Sequence, residues 1–305
     1  MSGVSPAPKG EKTVQLAQQS IGDAVYSVAF SPDGKALVVA AASCICLYDA
    51  ASLVERDRIR ANAEVRGLAL SPDGRMLAAG LSDKTVRLWQ LPGGEPLKTL
   101  EGHADEVWSV AFSPDGEMLA SGGDDRAVRL WHVSSGVLVR VLQEHKSLVR
   151  SVAFSPDGSV LASGAGSGDD AVRLWRLSDF TLLRMLEGHR YGVRSVAFSR
   201  DGRVLACGSV DRLVRLWRVS DGAERHVLKG HQGEVSSVAF SRGGKVLASG
   251  AMDKTIRLWL LADGALAETL EGHKAGVKSV AFSPDGLTLA SGAEDGTVLL
   301  WGVRG

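Results

Sequence analysis

The chain has 305 residues, 45% of them apolar, with 35 basic side chains balancing 35 acidic ones. That balance excludes a long-range field drawing the molecule to nucleic acid or an anionic membrane. With no 18-residue apolar run and no charged-then-apolar leader, neither a membrane helix nor a signal peptide is expected. The three cysteines are odd in number, and Cys44 and Cys46 stand too close in sequence for an ordinary zinc pair. They fit a reducing, cytoplasmic setting in which thiols are packing groups, with neither metal nor cofactor implied.

In chain order, residues 1–12 are rich in Gly, Pro and Ser without periodicity and read as a disordered tail. Thr13 to Ala17 reads as a strand with no preceding strand to join. From there a single unit recurs. Its opening, SVAFSPDG, stands letter for letter at Ser27, Ser109, Ser151 and Ser279, with edited copies at 67 (GLALSPDG), 195 (SVAFSRDG) and 237 (SVAFSRGG). The last apolar residue of each opening falls at Phe30, Leu70, Phe112, Phe154, Phe198, Phe240 and Phe282, a spacing of 40 to 44 residues. Seven repeats of that length decide the fold class before any single residue does.

The third copy shows the unit most clearly. VWSVAF alternates large apolar with small or polar residues and reads as a strand. SPDG reads as a turn, because Pro presets φ, Asp suits the next position and Gly relieves the last. MLASGG is a second strand, Asp124-Asp125-Arg126 a second turn, AVRLW a third strand, and VLVRVL after a further turn a fourth. The first copy is irregular, with ALVVAAA and Tyr48 where later copies have LASG and Trp. The second has Ala61 and Asn62 where Gly-His is expected, the fourth carries two extra residues in AGSGDD, and the seventh stops after its third strand, 297–301.

Four short strands per period, a Gly-His before the first and a Trp closing the third resemble the WD40 repeat family over essentially the whole chain. One departure is the residue after that Trp, which is Gln90, His132, Arg176, Arg218, Leu260 or Gly302, and only Tyr48-Asp49 keeps the family's Asp. The resemblance implies an all-β, seven-bladed propeller of four-stranded antiparallel blades, one domain over 13–305. It also implies that the N-terminal strand completes blade seven and so closes the ring.

The resemblance further implies a buried hydrogen-bonded tetrad in each regular blade. The sets are His103, Ser121, Asp125 and Trp131; His145, Ser163, Asp169 and Trp175; His231, Ser249, Asp253 and Trp259; and His273, Ser291, Asp295 and Trp301. Blade five has His189, Asp211 and Trp217 with Cys207 in place of Ser. A Ser-His-Asp set invites a catalytic reading, but a hydrolase needs one set in one cleft, and here four complete copies repeat. No phosphate loop, HExxH, GxSxG or calcium loop is present, and no catalytic residue is assigned. His132 and His226 lie outside the sets and read as surface residues.

Function is then expected where the copies differ within a fixed frame. The residue before the recurring Ser of the first strand varies as Tyr26, Arg66, Trp108, Arg150, Arg194, Ser236 and Lys278. In a ring these equivalent positions converge on one opening, on the face the family calls its top. Glu106 and Asp124 occupy neighbouring variable positions, and Trp108 is the only one of seven Trp outside the third-strand motif. Either these side chains are solvated strand ends or they form a surface for a protein or peptide, acidic by charge complementarity. The chain is expected to act as a monomeric interaction module or scaffold, with a sensor ring of a bacterial signalling system or a propeller enzyme as alternatives.

Overall fold

The computed structural model describes residues 13–302. The tail expected over 1–12 lies outside them. Within them the chain forms seven four-stranded antiparallel sheets set around an axis, and six of these are built in simple chain order. The seventh runs Val14–Ser20, Thr297–Gly302, Thr288–Ala293, Val277–Phe282, so that both ends of the described chain share one blade. Val14 faces Gly302 and Ser20 faces Thr297 across this ladder, and the Ile21 amide extends it to the Gly296 carbonyl at 2.8 Å. The N-terminal strand runs three residues beyond the expected Ala17 because its partner continues to Thr297. Without it the edge of blade seven would present unpaired amides and carbonyls.

The blades hold together through their faces. Each hydrophobic cluster spans two neighbours: Ala120, Val128 and Leu130 of blade three meet Val149, Val152, Leu161 and Trp175 of blade four. The third-strand Trp reaches back onto the blade before it. In blade one Tyr48, 1% exposed, takes that place against Val298 and Leu300 of blade seven. Burying one such aromatic side chain is worth about 2–3 kcal/mol.

The inner turns repeat one hydrogen-bonding scheme. The Ser hydroxyl donates to the Asp carboxylate, at 2.6 Å for Ser31 and Asp33, and the carboxylate accepts the amide two residues on. Gly closes the turn with φ near 72° in blade one, a region closed to most side chains. Blade six has Gly243 in place of the Asp, and Ser241 is left with the Val246 amide alone.

Candidate functional site

The first strand of every blade is bulged at one residue. Pairing with the second strand shifts between Val25 and Ser27, Val65 and Gly67, Val107 and Ser109, and at the same place in the other four blades. The extra residues are Tyr26, Arg66, Trp108, Arg150, Arg194, Ser236 and Lys278. A bulge takes one residue out of the ladder and re-aims its side chain, which turns these seven toward the axis. It also displaces the following backbone, and a neighbouring blade uses this. The Val152 amide donates to Ser109 Oγ across the junction at 3.1 Å, and four other junctions carry the same bond. Blade two has Gly67 instead of Ser, and a Cβ there would lie 2.5 Å from the Trp108 carbonyl oxygen.

Tyr26, Arg66, Trp108, Arg150, Arg194 and Lys278 together line the axial cavity, about 1150 Å³. On one side they form a ladder of alternating rings and cations. The Arg66 guanidinium carbon lies 5.6 Å from the Tyr26 ring centroid and 4.6 Å from that of Trp108, and the guanidinium carbon of Arg150 lies 3.5 Å from the same Trp108 ring. Contacts of this kind stabilise by about 0.5–2 kcal/mol depending on desolvation.

Three of the four cations at this opening are paired with carboxylates. Arg66 pairs with Glu64 at 2.8 Å and Glu106 at 2.9 Å, Arg194 with Glu234 at 2.9 Å, and Lys278 with Glu294 at 2.6 Å. Arg150 is different. Its Nε and Nη1 are buried without a hydrogen-bond partner. Burial pushes its pKa down to about 10, with Arg194 and Arg66 adding to the effect against the pull of Asp124. The Trp108 indole N–H and Asp124 Oδ1 are likewise buried and unpartnered, and burial raises the Asp124 carboxyl. Asp124 does not line the axial cavity; it borders a separate groove with Asp105, Arg126 and His145. Glu106 acts through Arg66.

The tetrads lie behind this surface. Trp131 donates to Ser121 Oγ at 2.8 Å, and Ser121 lies 2.7 Å from His103 Nε2. The Asp125 carboxylate can only accept, so the proton of the neutral imidazole sits on Nδ1, 3.0 Å from Asp125, and Nε2 accepts from the Ser121 hydroxyl. The same connections join His145, Ser163, Asp169 and Trp175, and His231, Ser249, Asp253 and Trp259. Blade seven differs. His273 Nδ1 bonds Thr297 Oγ1 at 3.0 Å and stands 3.4 Å from Asp295, while Ser291 still joins His273 Nε2 to Trp301. Blade five is incomplete. His189 reaches Asp211 at 3.0 Å, but Cys207 leaves His189 Nε2 and Trp217 Nε1 buried without partners.

One member of the network escaped the sequence reading. Arg129, Arg173 and Arg215, four residues after each Asp, pair with Asp125, Asp169 and Asp211 at 2.5, 2.6 and 3.0 Å. Its signal was the Arg that recurs in the third strands of blades two to six. Burial pushes the Asp169 carboxyl up, yet His145, Arg173 and the Lys146 amide outweigh it and hold the group at about 2. Burial also holds His103, His145, His231 and His273 below their ordinary value. All four tetrad Ser are fully buried, beyond the reach of a substrate. Among the described residues no cluster of three or more His, Cys, Asp or Glu is placed to hold a metal, and no helix is long and apolar enough to cross a membrane.

Seven bulged blades, four of them with a complete Ser-His-Asp-Trp set, closed by a strand from the other end of the chain define a repeat propeller of the class that serves as an interaction module. The chain belongs to the WD domain, G-beta repeat family, which matches at residues 15–49, 57–90, 94–132, 136–176, 180–218, 222–259 and 264–302. It is similar to a probable serine/threonine-protein kinase PkwA of Thermomonospora curvata, 46% identical over 44 residues, 14% of this chain and 6% of that protein. It is also similar to an intraflagellar transport protein 122 homolog of Danio rerio, 30% identical over 73 residues, 24% of this chain and 6% of that protein. The matched stretches therefore span about one-sixteenth of either relative's length.

Proposed function

We propose that this propeller is a non-catalytic interaction module that takes a peptide or protein segment over the axial opening, against Tyr26, Arg66, Trp108 and Arg150. The observation that supports it most is the conjunction at Arg150. A guanidinium with no ion pair among the described residues lies flat on Trp108, in the one residue position that each blade bulges out of its ladder. A carboxylate of the partner supplies what Arg150 lacks, and Trp108 offers the rigid apolar anchor that concentrates binding energy at interfaces. The paired rim cations Arg194 and Lys278 add selectivity in place of raw attraction, since any ligand must compete with Glu234 and Glu294. The segment is acidic at one position and apolar beside it.

A randomised peptide library selected on the wild-type ring tests this. Sequences enriched on wild type should carry Asp or Glu next to an apolar residue, and should lose about tenfold or more in affinity on Trp108→Ala, the size expected of an interface anchor. Selection of peptides indifferent to both Trp108→Ala and Arg150→Glu would refute the placement.

A further inference from the structure

The opposite opening is built by the inner turns, and there the repeat is broken in two adjacent blades. In five blades the turn is Ser-Pro-Asp-Gly, and each Pro ring packs under the turn Gly of the next blade. A Cβ on Gly34 would lie 3.5 Å from Pro284, on Gly74 3.3 Å from Pro32, on Gly116 3.5 Å from Pro72, and on Gly202 3.5 Å from Pro156. Blades five and six carry Arg200 and Arg242 instead of Pro. Gly244, the neighbour of Arg200, consequently has nothing within 4 Å of its Cβ position. Blade six has also exchanged the turn acid for Gly243.

These exchanges change the charge of one sector. The turns of blades five and six carry Arg200, Arg203, Arg242 and Lys245 against the single acid Asp201, whereas those of blades three and four carry Asp115, Glu117 and Asp157 and no base. Asp201 is already committed to Ser199 Oγ, at 2.6 Å, and to the Arg203 amide. Arg200 and Arg242 are exposed and, among the described residues, take part in no ion pair. Both border a depression of about 470 Å³ whose lining includes Phe198, Phe240 and Phe282. Aromatic rings and unpaired guanidinium groups lining one depression suit an acidic group next to an aromatic one.

We propose that this sector is a second binding surface, distinct from the axial site on the other face, and that it takes an acidic segment of a protein partner with an aromatic side chain seated over the three phenylalanines. With one segment held on each face, the ring joins two partners.

The probe is a fluorescein-labelled hexapeptide of Glu residues with one central Phe, followed by anisotropy against the full chain. Wild type should bind it, and raising salt from 50 to 300 mM should weaken binding, because exposed charges are screened over such distances. The decisive variant, Arg200→Pro with Arg242→Pro and Gly243→Asp, restores the turn of the other blades and is expected to fold as well as wild type. It should lose at least tenfold in affinity. These variants are made in a Trp108→Ala, Arg150→Glu background, which takes the axial site out of the measurement, and there Lys35→Glu with Arg75→Glu, on the same face in blades one and two, should stay within twofold. A peptide with Ser in place of Phe should bind several-fold more weakly. No binding to that background protein, or equal binding once its turns are restored, would each overturn the proposal. So would sedimentation of wild type as a dimer that the restored turns dissociate, which would make the occupant a second copy.

Discussion

Replacing Cys207 by Ser should stabilise the protein. In the complete tetrads the Ser Oγ lies 2.6 to 2.8 Å from His Nε2 and 2.8 to 2.9 Å from Trp Nε1. In blade five both of these nitrogens are buried and unpartnered, and the thiol between them is fully buried, its pKa driven up by burial. A hydroxyl at that place supplies two hydrogen bonds worth about 0.5–1.5 kcal/mol each and removes two desolvated orphans. Against this stands the loss of a buried sulfur, of order 1 kcal/mol by its apolar transfer. The net gain is about 1–2 kcal/mol, or roughly 2–4 °C in melting temperature for a chain of this size. Scanning calorimetry with Trp fluorescence reads it directly, and Ser163→Cys provides the mirror image, a loss of similar size in blade four. Should Cys207→Ser leave the midpoint unchanged or lower it while Ser163→Cys is also silent, the tetrad hydrogen bonds contribute nothing net.

Deleting residues 1–20 removes the outer strand of blade seven and should yield a protein that melts lower and aggregates, as seen by light scattering; unchanged melting would contradict the ring closure. Asp169→Ala leaves the Arg173 guanidinium, 4% exposed, without its counter-charge and should cost about 3–5 kcal/mol in a urea melt, whereas Asp179→Ala on an exposed turn should leave the midpoint where it is. Stability should fall as pH drops. The four tetrad histidines with lowered folded values resist protonation while unfolded His takes a proton near pH 6.5, and Asp169 and Asp211, both held at about 2, resist it while unfolded carboxylates protonate near pH 4. The loss therefore begins below about pH 6.5 and steepens between roughly pH 4 and 2; a midpoint that is flat or higher at pH 5 than at pH 7.5 would contradict this.

The fold was legible because a repeated sequence states its own boundaries. SPDG or an edited copy of it marked every inner turn, and the change from VWSVAF to VRLW marked the strands on either side. The convergence of the seven variable positions followed from ring geometry alone. Periodicity carries no register, however, so the bulge that turns Trp108 and Arg150 inward had no signal in the alternation of side chains. Charge pairing was hidden for another reason. Arg66 meets Glu106 and Arg194 meets Glu234 across blade junctions, each pair 40 residues apart in sequence, so cations that look free in the chain are neutralised in the ring. The Thr297 that takes the His273 bond was likewise invisible, since Thr255 stands at the equivalent place two residues after Asp253 while His231 keeps its bond to that carboxylate.

Ring closure by Val14–Ser20 has a consequence for molecules at high concentration. The strand is held to Thr297–Gly302 by backbone hydrogen bonds and no covalent link, and its own side chains are mostly exposed. The site it fills is therefore identical whether the strand arrives from the same chain or from a neighbour. Two rings that open together can exchange their first strands and reclose with every hydrogen bond intact, so the exchanged and unexchanged forms differ chiefly in the entropy of tethering. Dilution favours closure by the chain's own strand and concentration favours exchange, with interconversion as slow as the peeling of a seven-residue strand from Thr297–Gly302.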